Sequence, residues 1–188
     1  MKLIEEQNFD DKDFSISRLE IAEYDSCGFT YCNFADTNLS HIKFIDCSFT
    51  NCNLSNIILS DTALKTVEFT NCKMLGLQFN YCNSFLFEVH FDDCMLNLSS
   101  FYALNLKKSS FKNCSLQEVD FTEANLSGVN FNDCNLNQAI FMQTNIEKTD
   151  FRTAGNFTID LTKNKCKKAK FSKENLAGLL VNFGIVIE

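Results

Sequence analysis

The hydrophobic residues of this chain recur every five positions. Every fifth residue is apolar from Phe9 to Phe79, and the pattern resumes two residues out of phase from Phe91 to Phe151. The residue two places before each of these central positions is usually small or modestly apolar, and the residue between them is mostly polar. An α-helix repeats near 3.6 residues and a half-buried strand repeats every two. Neither period alone explains the pattern.

Each five-residue unit predicts one short extended side of a coil. Residues two apart in an extended segment point to the same face, so the central residue and its small partner both point inward. The next two residues are rich in Ser, Thr, Asn and Asp, which bond to local backbone and predict a corner. Four such units would make one square coil. Stacked coils would pair as in a parallel sheet, about 4.8 Å apart.

The identities of the central residues support closure of the coil after four units. One column contains only Phe: Phe9, Phe29, Phe49, Phe69, Phe91, Phe111, Phe131 and Phe151. The opposite column changes from Leu to Phe: Leu19, Leu39, Leu59, Phe79, Phe101, Phe121 and Phe141. A five-residue repeat alone would not separate Phe from Leu in this way, whereas a four-sided coil does. The chain also lacks proline, as expected where nearly every backbone N–H is needed in a ladder.

The repeat is interrupted once, between Phe79 and Phe91, where the spacing exceeds that of two units by two residues. We expect a break in the solenoid at residues 83–89, with at least one of Phe85 and Phe87 outside the core. Two outcomes stay open. The extra rings could bury one another, or an exposed apolar patch could mark a partner site. Its candidate residues are Phe85, Phe87, Leu98 and Tyr102.

The C-terminal sequence predicts a separate capping segment. We expect the β-helix to occupy residues 1–154 and a capping segment to occupy residues 155–188, with an α-helix at about 173–183. Ser172 is placed as an N-cap and Gly184 as a C′ residue. A solenoid end must be capped, either within one chain or by a second copy. We favour a homodimer, because the segment has more apolar surface than one coil end requires. The expected dimer residues are Leu176, Leu179, Leu180, Phe183, Ile185 and Ile187.

Nine of the ten cysteines occupy the small inward position, and six of them form one column. A zinc site needs ligands that converge, which a straight ladder of parallel side chains does not provide. A disulfide needs its Cβ atoms drawn together to roughly 3.8 Å. Buried thiols in apolar surroundings are inert and pack as small hydrophobic groups. We therefore interpret these cysteines as space-filling residues, and expect no metal, disulfide or cofactor.

No catalytic motif is present in the sequence. His41 and His90 should face solvent, and neither has a partner at the spacing of a metal site or catalytic triad. A phosphate-binding Gly loop, a serine elbow and a zinc-binding His–Glu motif are all missing. We expect a protein without catalytic residues that is not an enzyme.

Charge divides the chain unequally. Residues 1–147 carry a net charge of −11, whereas residues 148–188 carry +4. Because the central and small positions point inward, almost all the acidic residues of the body should lie on its outer faces. Such a surface is usually only solvated, but it could also present a field like that of a nucleic acid. Candidate contacts are Asp36, Asp46, Asp61, Glu118, Glu123 and Asp133.

The N-terminal sequence "MKLIEEQNFDDKDF" turns acidic at once and contains no long apolar run. It is therefore not typical of a secretory signal, and no stretch of the chain approaches the length of a membrane span. We expect a cytoplasmic protein with no membrane partner.

Units such as "CNFAD", "ANLSG", "VNFND" and "CNLNQ" resemble the pentapeptide-repeat family across residues 7–154. The resemblance implies an all-β fold, a right-handed quadrilateral β-helix, and the handedness rests on this resemblance alone. The C-terminal end is loosely similar to the α-helical dimerisation module of the Qnr-type, MfpA-type and microcin-immunity members. The chain lacks the two long loops of many Qnr proteins, so it is more similar to the loopless members.

The resemblance also implies a function. Those relatives are similar to duplex DNA in shape and charge, and they bind DNA gyrase or topoisomerase IV and protect it from quinolones or peptide toxins. One hypothesis is therefore a non-catalytic DNA mimic that binds a type II topoisomerase and does not itself bind nucleic acid. The alternative is a scaffold or regulatory interaction module with an unrelated partner, which would use the outward apolar residues instead of charge.

Overall fold

A computed structural model describes residues 1–186. Their regular elements are short strands and 3-10 turns. The strands are β1 (Lys2–Glu5), β2 (Asn8–Asp10), β3 (Ala22–Asp25), β4 (Gly28–Thr30), β5 (Lys43–Ile45), β6 (Ser48–Thr50), β7 (Ala63–Lys65), β8 (Val67–Thr70), β9 (Val89–Asp92), β10 (Ser110–Lys112) and β11 (Phe131–Asn132). The 3-10 turns are Phe79–Tyr81, Leu176–Leu179 and Val181–Phe183.

The strands stack into two parallel sheets that form two sides of a solenoid. One sheet has the order β1-β3-β5-β7 and the other has the order β11-β10-β9-β8-β6-β4-β2. Pairs such as Phe9 with Phe29 and Tyr24 with Phe44 join residues that are four units apart in the sequence. Single bridges, beginning with Asp13 to Asn33 and Asn38 to Ile58, build two further columns. The prediction of a four-sided coil built from four five-residue units is therefore confirmed.

We number the sides by their first central residue. Face 1 contains Phe9, face 2 contains Phe14, face 3 contains Leu19 and face 4 contains Tyr24. The second residue after each central position repeatedly adopts a left-handed backbone, as at Asp36 with a φ angle of 59°. Asn and Asp enter this region more readily than other L-residues, which explains their frequency at the corners.

The core is built from stacked aromatic rings. Along face 1, neighbouring Phe rings from Phe9 to Phe151 stack with centroids 4.7–5.3 Å apart. Phe171 continues this column, with its centroid 5.2 Å from that of Phe151 and the ring planes 3° apart. The bridges also continue past residue 154, to Lys165 and Lys170. The proposed division at residues 154 and 155 stays a prediction.

The cysteines fill a slot that also contains a hydrogen-bond acceptor. The Cys52 thiol donates to the carbonyl oxygen of Phe29 in the previous coil, with a sulfur-to-oxygen distance of 3.4 Å. Thr62 fills an equivalent slot, and its hydroxyl donates to the Leu39 carbonyl at 2.9 Å. All ten cysteines, which lie within residues 1–186, are unbridged. The slot therefore accepts a small side chain, with or without a donor.

Substitutions of Cys94 should reveal the size limit of this slot. Cys94→Ala and Cys94→Thr should change the free energy of unfolding by less than about 1 kcal/mol, because both side chains are small. Cys94→Leu should destabilise by roughly 1–3 kcal/mol, because it overfills a buried site. Urea denaturation followed by circular dichroism measures the difference. Leu tolerated as well as Ala would contradict a space-filling role.

The change of register lies within residues 83–89. Asn83 pairs with Ala63, four units earlier, whereas Val89 pairs with Val67, which is two residues further back than four units. Phe85 is 67% exposed, but Phe87 is buried. The ring of Phe87 contacts the edge of the Phe79 ring at a centroid distance of 6.4 Å. One of the two extra rings thus lies outside the core and the other fills it.

The predicted α-helix at about 173–183 is wrong. The segment forms two 3-10 turns instead. Its polar groups bond to the last coil: the Gly178 carbonyl accepts from the Ile159 amide at 3.0 Å, and the Asn175 side chain donates to the Ala154 carbonyl at 2.8 Å. Short isolated helices are marginal in water. Contacts with the solenoid end therefore determine this backbone. Gly184, predicted as the C′ residue of that α-helix, instead follows the second 3-10 turn with a left-handed φ angle of 63°.

Candidate protein-interaction surface

Face 1 presents an extended regular surface, because its outer side is the seven-stranded parallel sheet. Outward residues of this sheet include Asp10, Glu68 and Asp92. The corner that follows adds Asp11, Asp93 and Asp133, which are exposed and left-handed. Lys112 neutralises part of this charge through an ion pair to Asp92 at 2.8 Å. The face as a whole is acidic.

The six acidic residues predicted as contacts are all exposed, and all have positive φ angles. They do not lie together. Asp36 and Glu118 lie at the corner after face 2, and Asp61 and Glu123 lie at the corner after face 3. Asp46 lies at the corner after face 4, and Asp133 lies at the corner after face 1. The structure therefore distributes them over four corners.

The acidic residues of face 1, Asp10, Asp11, Glu68, Asp92 and Asp93, were missed as candidates. The signal was present in the sequence, because the period of four units assigns every outward residue to a column. Sorting the outward acids by column, in the same way as the inward Phe and Leu residues, would have identified this face.

Neighbouring coils provide polar partners to several of the predicted acids. Asn83 donates to the Asp61 carboxylate at 2.9 Å, and this bond, together with one from His41, lowers the pKa of Asp61. Hydrogen bonding to Glu123 raises the pKa of Tyr102. Tyr102 and Glu123, predicted as members of different surfaces, are therefore neighbours.

The four predicted apolar contact residues do not form one patch. Phe87 is buried, which removes it from any exposed surface. Phe85, Leu98 and Tyr102 are exposed by 67%, 56% and 42%, but they follow faces 4, 2 and 3 respectively. Phe85 lies beside a cation, with the Lys65 Nζ atom 5.4 Å from its ring centroid.

In the part of the chain that the structure describes, His90 and its polar neighbours do not form a hydrogen-bonded triad. His90 Nδ1 lies 2.9 Å from Ser110 Oγ, which occupies the same column one coil later. His90 Nε2 lies 3.7 Å from the Glu88 carboxylate, which is too long for a hydrogen bond. Within residues 1–186, no group of three or more His, Cys, Asp or Glu side chains is arranged to hold a metal ion.

The buried thiols of Cys47 and Cys82 are poor nucleophiles. Burial raises the pKa of the Cys47 thiol to about 12, and burial also raises the pKa of Cys82. Because the thiolate is the reactive form, these side chains stay protonated and inert near neutral pH.

The C-terminal segment exposes an apolar surface. A groove of about 310 Å³ is lined by Leu161, Thr162, Leu176, Leu179, Leu180 and Phe183. Leu179 is buried against the last coil, whereas Phe183 and Ile185 are 64% and 55% exposed. Ile185 and Val186 do not form a strand. Ile187, the remaining predicted dimer residue, lies outside the described residues.

None of the helices in the described part of the chain has the length and apolar composition needed to cross a membrane.

Comparisons with known proteins agree with this architecture. A family model described as "Pentapeptide repeat region" matches residues 22–85 and 84–155. The solved structure of a trypsin-treated variant of QnrB1, described as a plasmid-mediated fluoroquinolone resistance protein, superposes with a TM-score of 0.78. It shares 17% identity and covers 100% of this chain and 92% of its own. A second trypsin-treated QnrB1 variant gives a TM-score of 0.62 at 15% identity, covering 100% and 98%. No curated protein matches the sequence.

Proposed function

The chain belongs to the pentapeptide repeat family, and we propose that it is a non-catalytic, DNA-mimicking ligand of a type II topoisomerase such as DNA gyrase. It would act in the cytoplasm and protect the enzyme from a quinolone or a toxin. The observation that carries the proposal is the excess of outward acidic residues on a stack of parallel-paired coils. The similarity to QnrB1 supports the proposal because QnrB1, which has the same fold, is described as a fluoroquinolone resistance protein.

The dimensions fit such a role. The Phe column of face 1 makes eight steps from Phe9 to Phe171, which corresponds to about 38 Å at roughly 4.8 Å per coil. Two molecules end to end would span about 75 Å, or roughly 20 base pairs at 3.4 Å each. The acidic residues would occupy the positions of phosphates in the DNA-binding groove of the enzyme. Asp36, Asp46, Asp61, Glu118, Glu123 and Asp133, with the acids of face 1, are the proposed contacts.

A gyrase supercoiling assay tests the proposal directly. The purified protein should inhibit supercoiling or relieve quinolone poisoning at micromolar concentrations, and the effect should weaken as salt rises. No effect in either assay over that range would remove the topoisomerase hypothesis.

Two matched variants test whether face 1 is the contact surface. One changes Asp11, Asp93 and Asp133 to Asn, and the other changes Asp36, Asp46 and Asp61 to Asn. Both remove three charges at left-handed corners, where Asn is tolerated, and urea denaturation checks that both variants keep the wild-type fold. If face 1 is preferred, the first variant should bind about tenfold more weakly, since each exposed pair contributes roughly 0.2–1 kcal/mol. Equal losses of affinity would indicate that acidic residues on all four corners contribute to binding. No loss of affinity in either variant would contradict DNA mimicry.

We further propose that the protein is a homodimer through its C-terminal segment. The 310 Å³ groove and the exposed side chains of Leu176, Phe183 and Ile185 support this assignment, because large apolar patches on soluble proteins commonly mark interfaces. Phe183→Asp should convert the dimer to a monomer in analytical ultracentrifugation. A wild-type protein that is monomeric at high micromolar concentration would exclude the interface.

The second candidate function is an interaction module with an unrelated partner. The exposure of Phe85, Leu98 and Tyr102 favours it. Partner binding that persists at high salt would support this function over DNA mimicry, because binding through an acidic surface is screened by salt.

A further inference from the structure

The ladder of face 4 is open at one position, next to the two extra residues. The outward column of this face runs through Leu3, Glu23, Lys43, Ala63 and Asn83, and each neighbouring pair is bridged. The column continues from Asn105 through Asn125 and Asn145 to Lys165, again with every pair bridged. Within residues 1–186, no bridge joins Asn83 to Asn105.

The opening leaves backbone groups without their usual partners. At equivalent positions, the Asn83, Asn125 and Asn145 amides donate to a carbonyl of the previous coil at 2.8–2.9 Å. Asn105 should donate to Cys82 in the same way, but its amide has no hydrogen-bond partner in the described part of the chain. An unpaired backbone N–H can donate to a carbonyl of an added extended segment, as the exposed edge of a sheet does.

A groove of about 280 Å³ lies at this opening. It is lined by Ser84, Leu86, Phe87, Asn105, Lys107 and Lys108. Leu86 is 58% exposed and has a φ angle of 58°, which is unfavourable for a leucine. The groove is slightly smaller than the pockets that hold drug-sized ligands. It therefore suits one apolar side chain and the adjoining backbone.

The rim of the groove is basic on a body whose net charge is negative. The Lys108 Nζ atom pairs with Glu88 at 3.4 Å, but no carboxylate of residues 1–186 forms an ion pair with Lys107. Both lysines are exposed. An acidic residue of a ligand could therefore pair with Lys107 without displacing an existing contact.

We propose that this groove binds a short extended segment of a partner protein in which one apolar side chain is flanked by acidic residues. The apolar side chain packs on Leu86 and Phe87. A carbonyl of the segment accepts from the Asn105 amide, and a flanking carboxylate pairs with Lys107. This site differs in position and charge from the acidic face 1, and it does not depend on topoisomerase binding.

Selection from a random seven-residue peptide library, displayed on phage and applied to the full chain, tests the proposal. Enriched peptides should share a Leu, Ile or Phe next to Asp or Glu. Their synthetic forms should bind at least tenfold more weakly to Leu86→Asn and Lys107→Glu, measured by fluorescence anisotropy. Lys107→Glu is a surface change and should leave the fold intact, which circular dichroism checks.

The matched controls are Ile21→Asn and Lys167→Glu. Ile21 is an exposed apolar corner residue of the first full coil, and Lys167 occupies the position of Lys107 three coils later. Both variants should bind the selected peptides within twofold of the wild-type protein. The proposal is overturned if no peptide is enriched on the wild-type protein relative to the Leu86→Asn variant. It is also overturned if the groove variants bind like the controls, or if a polyglutamate peptide without an apolar residue binds equally well.

Discussion

Phe69→Ala is expected to lower the free energy of unfolding by about 3–5 kcal/mol, because it empties a buried site that the rigid coils cannot close. Phe69 is 2% exposed and stacks between Phe49 and Phe91 at centroid distances of 5.1 and 5.3 Å. The loss includes buried area and the stacking contacts with two coils. Urea denaturation of the purified variant measures it.

Phe85→Ala is the matched control for Phe69→Ala. Its ring is 67% exposed and contacts the Lys65 cation, so the substitution should cost no more than about 1 kcal/mol. Similar losses for Phe69→Ala and Phe85→Ala would contradict the inward column of stacked rings.

The solenoid could be predicted because the five-residue period repeats many times along the sequence. Each coil repeats the same inward positions. The equivalent residues of the coils above and below therefore correct a misassigned residue in any one coil. The pairing of Phe9 with Phe29 and of Phe111 with Phe131 follows directly from the sequence spacing. Phe171 was missed because the residues before it no longer follow the five-residue pattern, although the Phe column continues.

The fate of the extra residues could be predicted only in part. The spacing located two additional residues, but the run of Phe85, Leu86 and Phe87 contains three apolar side chains of similar hydrophobicity. Left-handed backbone at Leu86 turns the chain so that Phe87 points inward and Phe85 points outward. Sequence hydrophobicity contains no information on that choice.

The C-terminal prediction failed because a helical spacing of apolar residues does not require an α-helix. Leu176, Leu179, Leu180 and Phe183 follow the helical period, yet the segment has only 3-10 turns. Backbone contacts with residues far away in the sequence determine its conformation, and these contacts are not periodic. The acidic surface is a different case, because the four-unit period assigns each outward residue to a column, and sorting the acidic residues by column identifies face 1 from the sequence.

Gly178→Ala is expected to destabilise the C-terminal cap by roughly 1–3 kcal/mol, the usual cost of overpacking a close contact. A Cβ atom at this position would overlap the carbonyl oxygen of Phe157 and would also crowd its ring. Because the obstacle is backbone, it cannot rotate away. The Ile159 amide, which donates to the Gly178 carbonyl at 3.0 Å, should therefore exchange its hydrogen faster in the variant.

Gly155→Ala distinguishes this steric effect from a general intolerance of the last coil to substitution. Gly155 pairs with Asn135 and has open space where a Cβ would lie, so the variant should keep or gain up to about 1 kcal/mol of stability. Hydrogen exchange at Ile159 should then be unchanged. If Gly178→Ala also left the exchange rate and the unfolding free energy unchanged, the cap would not contact Phe157 as described, and the proposed dimer surface would lose its structural support.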